Sequence, residues 1–142
     1  MSLAVRLSEL LPTDLQSGKG EAEISVPSWA FKPDHWNVAF LRGLHQLASE
    51  WKYKRVWEVG VGTGINIISL WDAAPGAAWY FSDYNPKCVP LARQNCASAK
   101  VTERLASLEG STDLVTSSAA VWLHRMDVVF GCLPQVPFKM DL

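Results

Sequence analysis

The stretch Val56-Trp57-Glu58-Val59-Gly60-Val61-Gly62-Thr63-Gly64-Ile65-Asn66 constrains the fold more than any other part of the chain. An apolar run leads into three glycines at alternate positions, and a helix-like apolar pattern follows. That succession predicts a buried strand, a tight turn and a helix. Alternate glycines remove Cβ atoms where the backbone turns sharply, so a ligand can lie against it. The turn would also sit at a helix N-terminus, where free N–H groups point at whatever is bound.

The glycines are spaced G-x-G-x-G, not the G-x-G-x-x-G of dinucleotide-binding turns, and Glu58 stands two residues before the first. The anionic pyrophosphate of NAD gives no reason for an acid there. S-adenosylmethionine does, because it has no phosphate and carries a sulfonium and an ammonium. Ala78-Trp79-Tyr80-Phe81-Ser82-Asp83 reads as the next strand, ending in an acid. Asp83 lies about twenty residues past the glycines, the separation at which such an acid reaches ribose hydroxyls. Asn85-Pro86 then opens a helix, with Asn as N-cap and Pro at the first helical position.

The 142 residues are enough for one domain with a real core. The net charge is −1 with no basic block, which argues against a dedicated nucleic-acid surface. No apolar run approaches the ~20 residues of a membrane span, and no signal-peptide pattern is visible. Cys88, Cys96 and Cys132 are odd in number and lack C-x-x-C spacing, and His35, His45 and His124 are scattered. These features predict neither a disulfide framework nor a metal site. The expectation is a cytoplasmic protein acting on a small molecule.

Leu3 to Leu11 predicts a short helix, and Pro12 to Glu21 a linker. Residues 1–25 therefore read as an N-terminal extension and 26–142 as the functional domain. Pro27 to Trp36 holds three aromatics and two prolines in a loop. A helix should run from an Asp34 cap to about Trp51, with Trp36, Phe40, Leu44, Leu47, Ala48 and Trp51 on its apolar face. Trp29, Phe31 and Trp36 are candidate substrate-side aromatics. Of these Trp36, being on the helix, is the one most expected in the core.

Ile65 to Ala74 and Pro86 to about Ala99 read as crossover helices. Arg104 to Glu109 reads as a third strand, Leu114 to Leu123 as a short helix and Met126 to Cys132 as a fourth strand. Alternating strands and helices predict an α/β protein with a Rossmann-like open parallel sheet and helices on both faces. Such sheets bind ligands beyond the carboxyl ends of their strands. Glu58, Gly60, Gly62, Asp83, Asp113 and Cys132 to Gln135 all fall at those ends.

From Val26 to Pro137 the chain resembles the class I S-adenosylmethionine-dependent methyltransferases, carried by Glu58-x-Gly60-x-Gly62-x-Gly64, Asp83, Asp113 and the loop after strand four. The resemblance implies that Glu58, Gly60, Gly62, Thr63, Gly64, Asp83, Tyr84 and Asp113 hold S-adenosylmethionine. Asp83 would take the ribose and Asp113 the adenine amine. Val26 to Trp36 and Gly131-Cys132-Leu133-Pro134-Gln135 are most similar to the N-terminal domain of the methionine S-methyltransferases, whose corresponding motif is G-C-I-P-Q. Release-factor glutamine methyltransferases are a wider relation. Their N-P-P-Y is absent here, which argues against methylation of an amide or adenine nitrogen.

A thioether has an available lone pair and no proton to lose, so no general base is needed. Cys132, Pro134 and Gln135 would then position the substrate. Aromatic faces attract onium cations by ~0.5–2 kcal/mol, which suits Trp29 and Phe31. The family has seven strands and four are legible here, so the sheet reads as truncated after strand four. That strand would be an open edge, which predicts self-association. A module that binds cofactor weakly and turns over slowly, or not at all, is the accompanying expectation.

Overall fold

The computed structural model describes residues 2–107 and 125–131. The first departure from expectation lies at the N-terminus. Ser2–Arg6 is a strand, β1, antiparallel to β2 (Glu23–Pro27); of the expected helix only Leu7–Leu10 is helical, as α1, and a 3-10 turn follows at Thr13–Leu15. A strand takes its hydrogen bonds from a partner remote in sequence, which local leucine spacing does not reveal. The residues between are packed rather than loose. Leu11 and Leu15 are buried with Leu7 and Leu10. Ser69 Oγ donates to Leu15 O at 2.6 Å. Having given its proton, it accepts from His45 Nε2 at 2.7 Å.

Helix α2 spans His35–Leu47 and continues as a 3-10 turn, Ala48–Trp51. Asp34 caps it, its carboxylate accepting from Trp36 N at 3.0 Å and Asn37 N at 3.1 Å. Then come β3 (Arg55–Val59), α3 (Ile65–Leu70), β4 (Ala78–Ser82), α4 (Cys88–Ser98), β5 (Leu105–Ser107) and β6 (Val128–Phe130). Helix α4 starts two residues later than Asn85-Pro86 suggested. Asn85 Oδ1 instead accepts from Lys87 N, closing a turn before the helix.

The four strands β5-β4-β3-β6 are parallel and hydrogen-bonded in that order. The order reverses at β3, with β4 and β5 to one side and β6 to the other, and such a reversal opens a crevice beyond the strand ends. Side chains alternate across the sheet. Val56, Trp79 and Phe81 pack with Leu41 of α2, Ile67 and Ile68 of α3, and Ala92 and Cys96 of α4. The described helices thus share one face. On the other, Trp57 and Val59 pack with Tyr80 and Met126. The helix expected at 114–123 lies outside the described residues. Among the described residues, β6 is paired on one side only, and no helix is long and apolar enough to cross a membrane.

Candidate functional site

Strand β3 ends in the turn Gly60–Gly64, where Gly60, Gly62 and Gly64 have φ of 73°, 54° and 85°. Those left-handed values are the reason for the glycines. The turn is tied to β4 from both sides. Gly60 N and Val61 N donate to Ser82 O at 2.9 and 3.0 Å. Gly62 N donates to Asp83 Oδ2 at 2.9 Å. Gly64 faces inward: a Cβ there would come within 3.1 Å of the Ala92 backbone. A Cβ on Gly62 would meet no protein atom within 4 Å.

Asp83 is a junction. Its Oδ1 accepts from Asn85 N at 2.8 Å, and the Cys88 thiol hydrogen-bonds the same carboxylate. Burial and the Asp83 charge push that thiol up to about 12, so it stays protonated and unreactive. A carboxylate has about four lone-pair sites, which leaves room on Asp83 for a ligand hydroxyl.

Glu58 lies behind the turn, 1% exposed. Its Oε2 accepts from Asn66 Nδ2 at 2.8 Å. Its Oε1 is buried without a hydrogen-bond partner among the described residues. Burial first, and the nearby Asp83 charge as well, push the Glu58 carboxyl up to about 8 against the Asn66 hydrogen bond. Asn66 Oδ1 in turn accepts from Asn37 Nδ2 at 3.3 Å, which connects the buried acid to α2.

Opposite the turn stands the aromatic segment. Trp29, Phe31 and Trp36 are 43%, 58% and 71% exposed. The expectation that Trp36 serves the core is corrected. It falls in the first turn of α2, beyond Leu41 and Leu44, which carry that helix's burial. The three aromatics and the glycine turn enclose a cavity of about 680 Å3 that Asn37, Asp83, Asn85 and Cys88 also line. That volume falls within the roughly 300–1,000 Å3 of small-molecule and cofactor sites.

No family model matches the chain, and no curated protein does. Solved structures do. Rv0187 from MTB, in cofactor-bound form, is 26% identical with a TM-score of 0.52, over 75% of this chain and 46% of that one. An O-methyltransferase from Bacillus cereus in complex with SAH is 18% identical with a TM-score of 0.55, over 75% and 47%. An O-methyltransferase of tomaymycin synthesis from Streptomyces achromogenes, in complex with SAM, is 21% identical with a TM-score of 0.51, over 66% and 43%. The chain has the Rossmann-like fold of the methyltransferases. It spans less than half the length of each of these three structures.

On this methyltransferase-type sheet the sequence-derived residues are placed unevenly. Gly60, Gly62, Thr63, Asp83, Trp29, Phe31 and Trp36 line the cavity. Glu58 and Gly64 support the turn from behind. Tyr84 is 80% exposed and is not among the cavity's lining. Asp113, Cys132, Pro134 and Gln135 lie outside the described residues.

Three asparagines were missed. Asn37 and Asn66 connect Glu58 to the cavity. Asn95 is buried and bridges α4, β2 and the glycine turn: its Oδ1 accepts from Ser25 N, and its Nδ2 donates to Ser25 O and Thr63 O, at 2.8, 3.0 and 2.9 Å. The signal for Asn66 was present, as a polar residue inside the apolar run Ile65 to Ile68.

Proposed function

We propose that the cavity binds S-adenosylmethionine and that the chain is the cofactor-binding core of a methyltransferase. The observation carrying this is the Glu58 carboxyl buried behind a G-x-G-x-G turn whose middle glycine is held by Asp83. An acid buried there ionises more readily beside positive charge and less readily beside a pyrophosphate, so the position favours a cationic ligand. Asp83 keeps an acceptor site for a ribose hydroxyl. The ligands bound in the two similar O-methyltransferases, SAM and SAH, support the same choice.

The acceptor we propose is a small thioether, with methionine first. Trp29, Phe31 and Trp36 offer exposed aromatic faces around the cavity, suited to a sulfonium before and after transfer. In-line transfer to a sulfur lone pair asks for alignment rather than for a base. Incubation of the chain with methyl-labelled S-adenosylmethionine and methionine should label a small molecule. Label entering only protein or nucleic acid would replace the thioether with a nitrogen acceptor. Cofactor binding without any transfer would leave a binding module. Binding of NAD in place of S-adenosylmethionine would sink the reading altogether.

A further inference from the structure

The wall opposite the glycine turn carries an acid with an unspent oxygen. Asp34 falls between Phe31 and Trp36 in the chain and lines the cavity with them. Its Oδ1 takes both capping hydrogen bonds, from Trp36 N and Asn37 N. Its Oδ2 accepts none among the described residues. A carboxylate has about four lone-pair sites, so one oxygen keeps the cap while the other stays open to a ligand.

The surroundings of that oxygen select the ligand group. Among the described residues, the cavity is lined by two acids, Asp34 and Asp83, and by no Lys, Arg or His. Asp83 belongs to the opposite wall, where it holds the glycine turn. Asp34 stands among aromatic side chains, and Phe31 and Trp36 are both largely exposed. A carboxylate beside aromatic faces matches an alkylammonium: the oxygen accepts its N–H groups, and the rings attract its charge. One ammonium already lies on this wall. Lys87, at the start of α4, places its Nζ 5.7 Å from the centre of the Trp29 ring.

We propose that Asp34 is the specificity-determining residue of the acceptor side, and that the cavity takes a thioether bearing a free ammonium group. The ammonium donates to the open oxygen of Asp34, and the aromatic side chains beside it stabilise the charge. Methionine with its amino group free meets that requirement. An N-acylated or peptide-internal methionine does not. Resting on the S-adenosylmethionine and thioether reading of the cavity, this narrows the acceptor to amine-bearing thioethers. Asp34 goes to the acceptor rather than to the ammonium of the cofactor because it stands with the aromatic wall, whereas Glu58 and Asp83 stand with the glycine turn.

Calorimetry on the full chain saturated with S-adenosylhomocysteine tests this with two thioethers that differ only in their end group, methylthiopropylamine and methylthiopropanol. The amine should bind about tenfold more tightly, from ion pairing and cation–π attraction together. High salt should narrow that difference, because Asp34 is exposed and its charge is screened. Asp34→Asn keeps an oxygen that caps α2, so the fold is retained. It should cut the preference for the amine to about threefold or less and leave the alcohol unaffected. Equal affinity for the two probes, or a preference that Asp34→Asn leaves intact, overturns the inference alone. A variant that keeps the preference but binds S-adenosylhomocysteine more weakly, with 5′-methylthioadenosine unchanged, gives Asp34 to the cofactor and overturns it likewise. Binding of neither thioether overturns the thioether reading and this inference with it, while the cofactor reading stands. Failure of the wild type to bind S-adenosylhomocysteine overturns the cofactor reading and all that rests on it.

Discussion

Gly62 N donates to Asp83 Oδ2 at 2.9 Å, so the middle of the glycine turn is held by the acid that ends the next strand. Two motifs 21 residues apart are one structural unit. The bond fixes the turn and aims the carboxylate at the cavity together. It also explains why an acid, rather than any polar residue, stands at position 83: that carboxylate takes donors from Gly62, Asn85 and Cys88 at once.

Asp83→Asn should therefore weaken cofactor binding more than loss of a single ligand contact would. The amide turns an N–H toward one of three donors, and hydrogen bonds to a charged group contribute about 1.5–3 kcal/mol. The expected outcome is roughly a tenfold to hundredfold rise in Kd for S-adenosylhomocysteine by calorimetry. An unchanged Kd would place the adenosine elsewhere.

The glycines should separate by role. Gly62→Val puts a branched side chain at a position with φ of 54° and open cavity beside it. It should abolish binding at a folding cost of about 1–2 kcal/mol, the penalty of left-handed backbone for an L residue. Gly64→Ala drives its Cβ against the Ala92 backbone at 3.1 Å and should lower the melting temperature further than Gly62→Val does. Thermal unfolding beside ligand titration distinguishes the two. A Gly64→Ala protein as stable as wild type would show that α3 and α4 can move apart.

Glu58 makes a pH prediction for the ligand-free chain. Its folded-state value of about 8 lies above the ordinary value of 4.5, so between the two the native state binds more protons than the unfolded one. Stability then falls as pH rises through that window. Urea midpoints measured from pH 5 to 8 should decline in wild type and flatten in Glu58→Gln. A wild-type midpoint that rises across the window, with no such rise in Glu58→Gln, would place the ionised carboxylate in a better environment than the structure gives it.

What was legible in the sequence follows from the range of the forces involved. The turn at Gly60–Gly64 and the strand ending at Asp83 are set by local backbone geometry and alternation, and they stand where the pattern put them. Trp36 has the correct helical spacing for the core yet lies in the first turn, past the point where α2 meets the sheet, so its environment is decided by packing. Strand β1 depends on a partner about twenty residues away. Asn37 and Asn95 look like ordinary polar residues until the elements carrying them meet. Local spacing contains none of that information.

Asn95→Ala offers the last test, because it asks whether the N-terminal β1–β2 pair is part of the site's scaffold. Asn95 is 1% exposed, and its amide bonds both backbone groups of Ser25 on β2 and the carbonyl of Thr63 in the glycine turn. Removing it takes one hydrogen bond from each of three backbone groups, a loss of about 1–3 kcal/mol for any group left unsatisfied, although water entering the space left behind would recover part of this. We expect stability to fall by about 2–4 kcal/mol. Ligand affinity should fall with it, since Thr63 loses the bond that sets its carbonyl while the cavity wall near Trp29, just after β2, loses its tether. Amide hydrogen exchange would localise the effect, with protection lost together in residues 23–27 and 60–64. Protection lost in β2 alone would show that the hairpin packs beside the turn without supporting it, and the affinity loss should then be absent too.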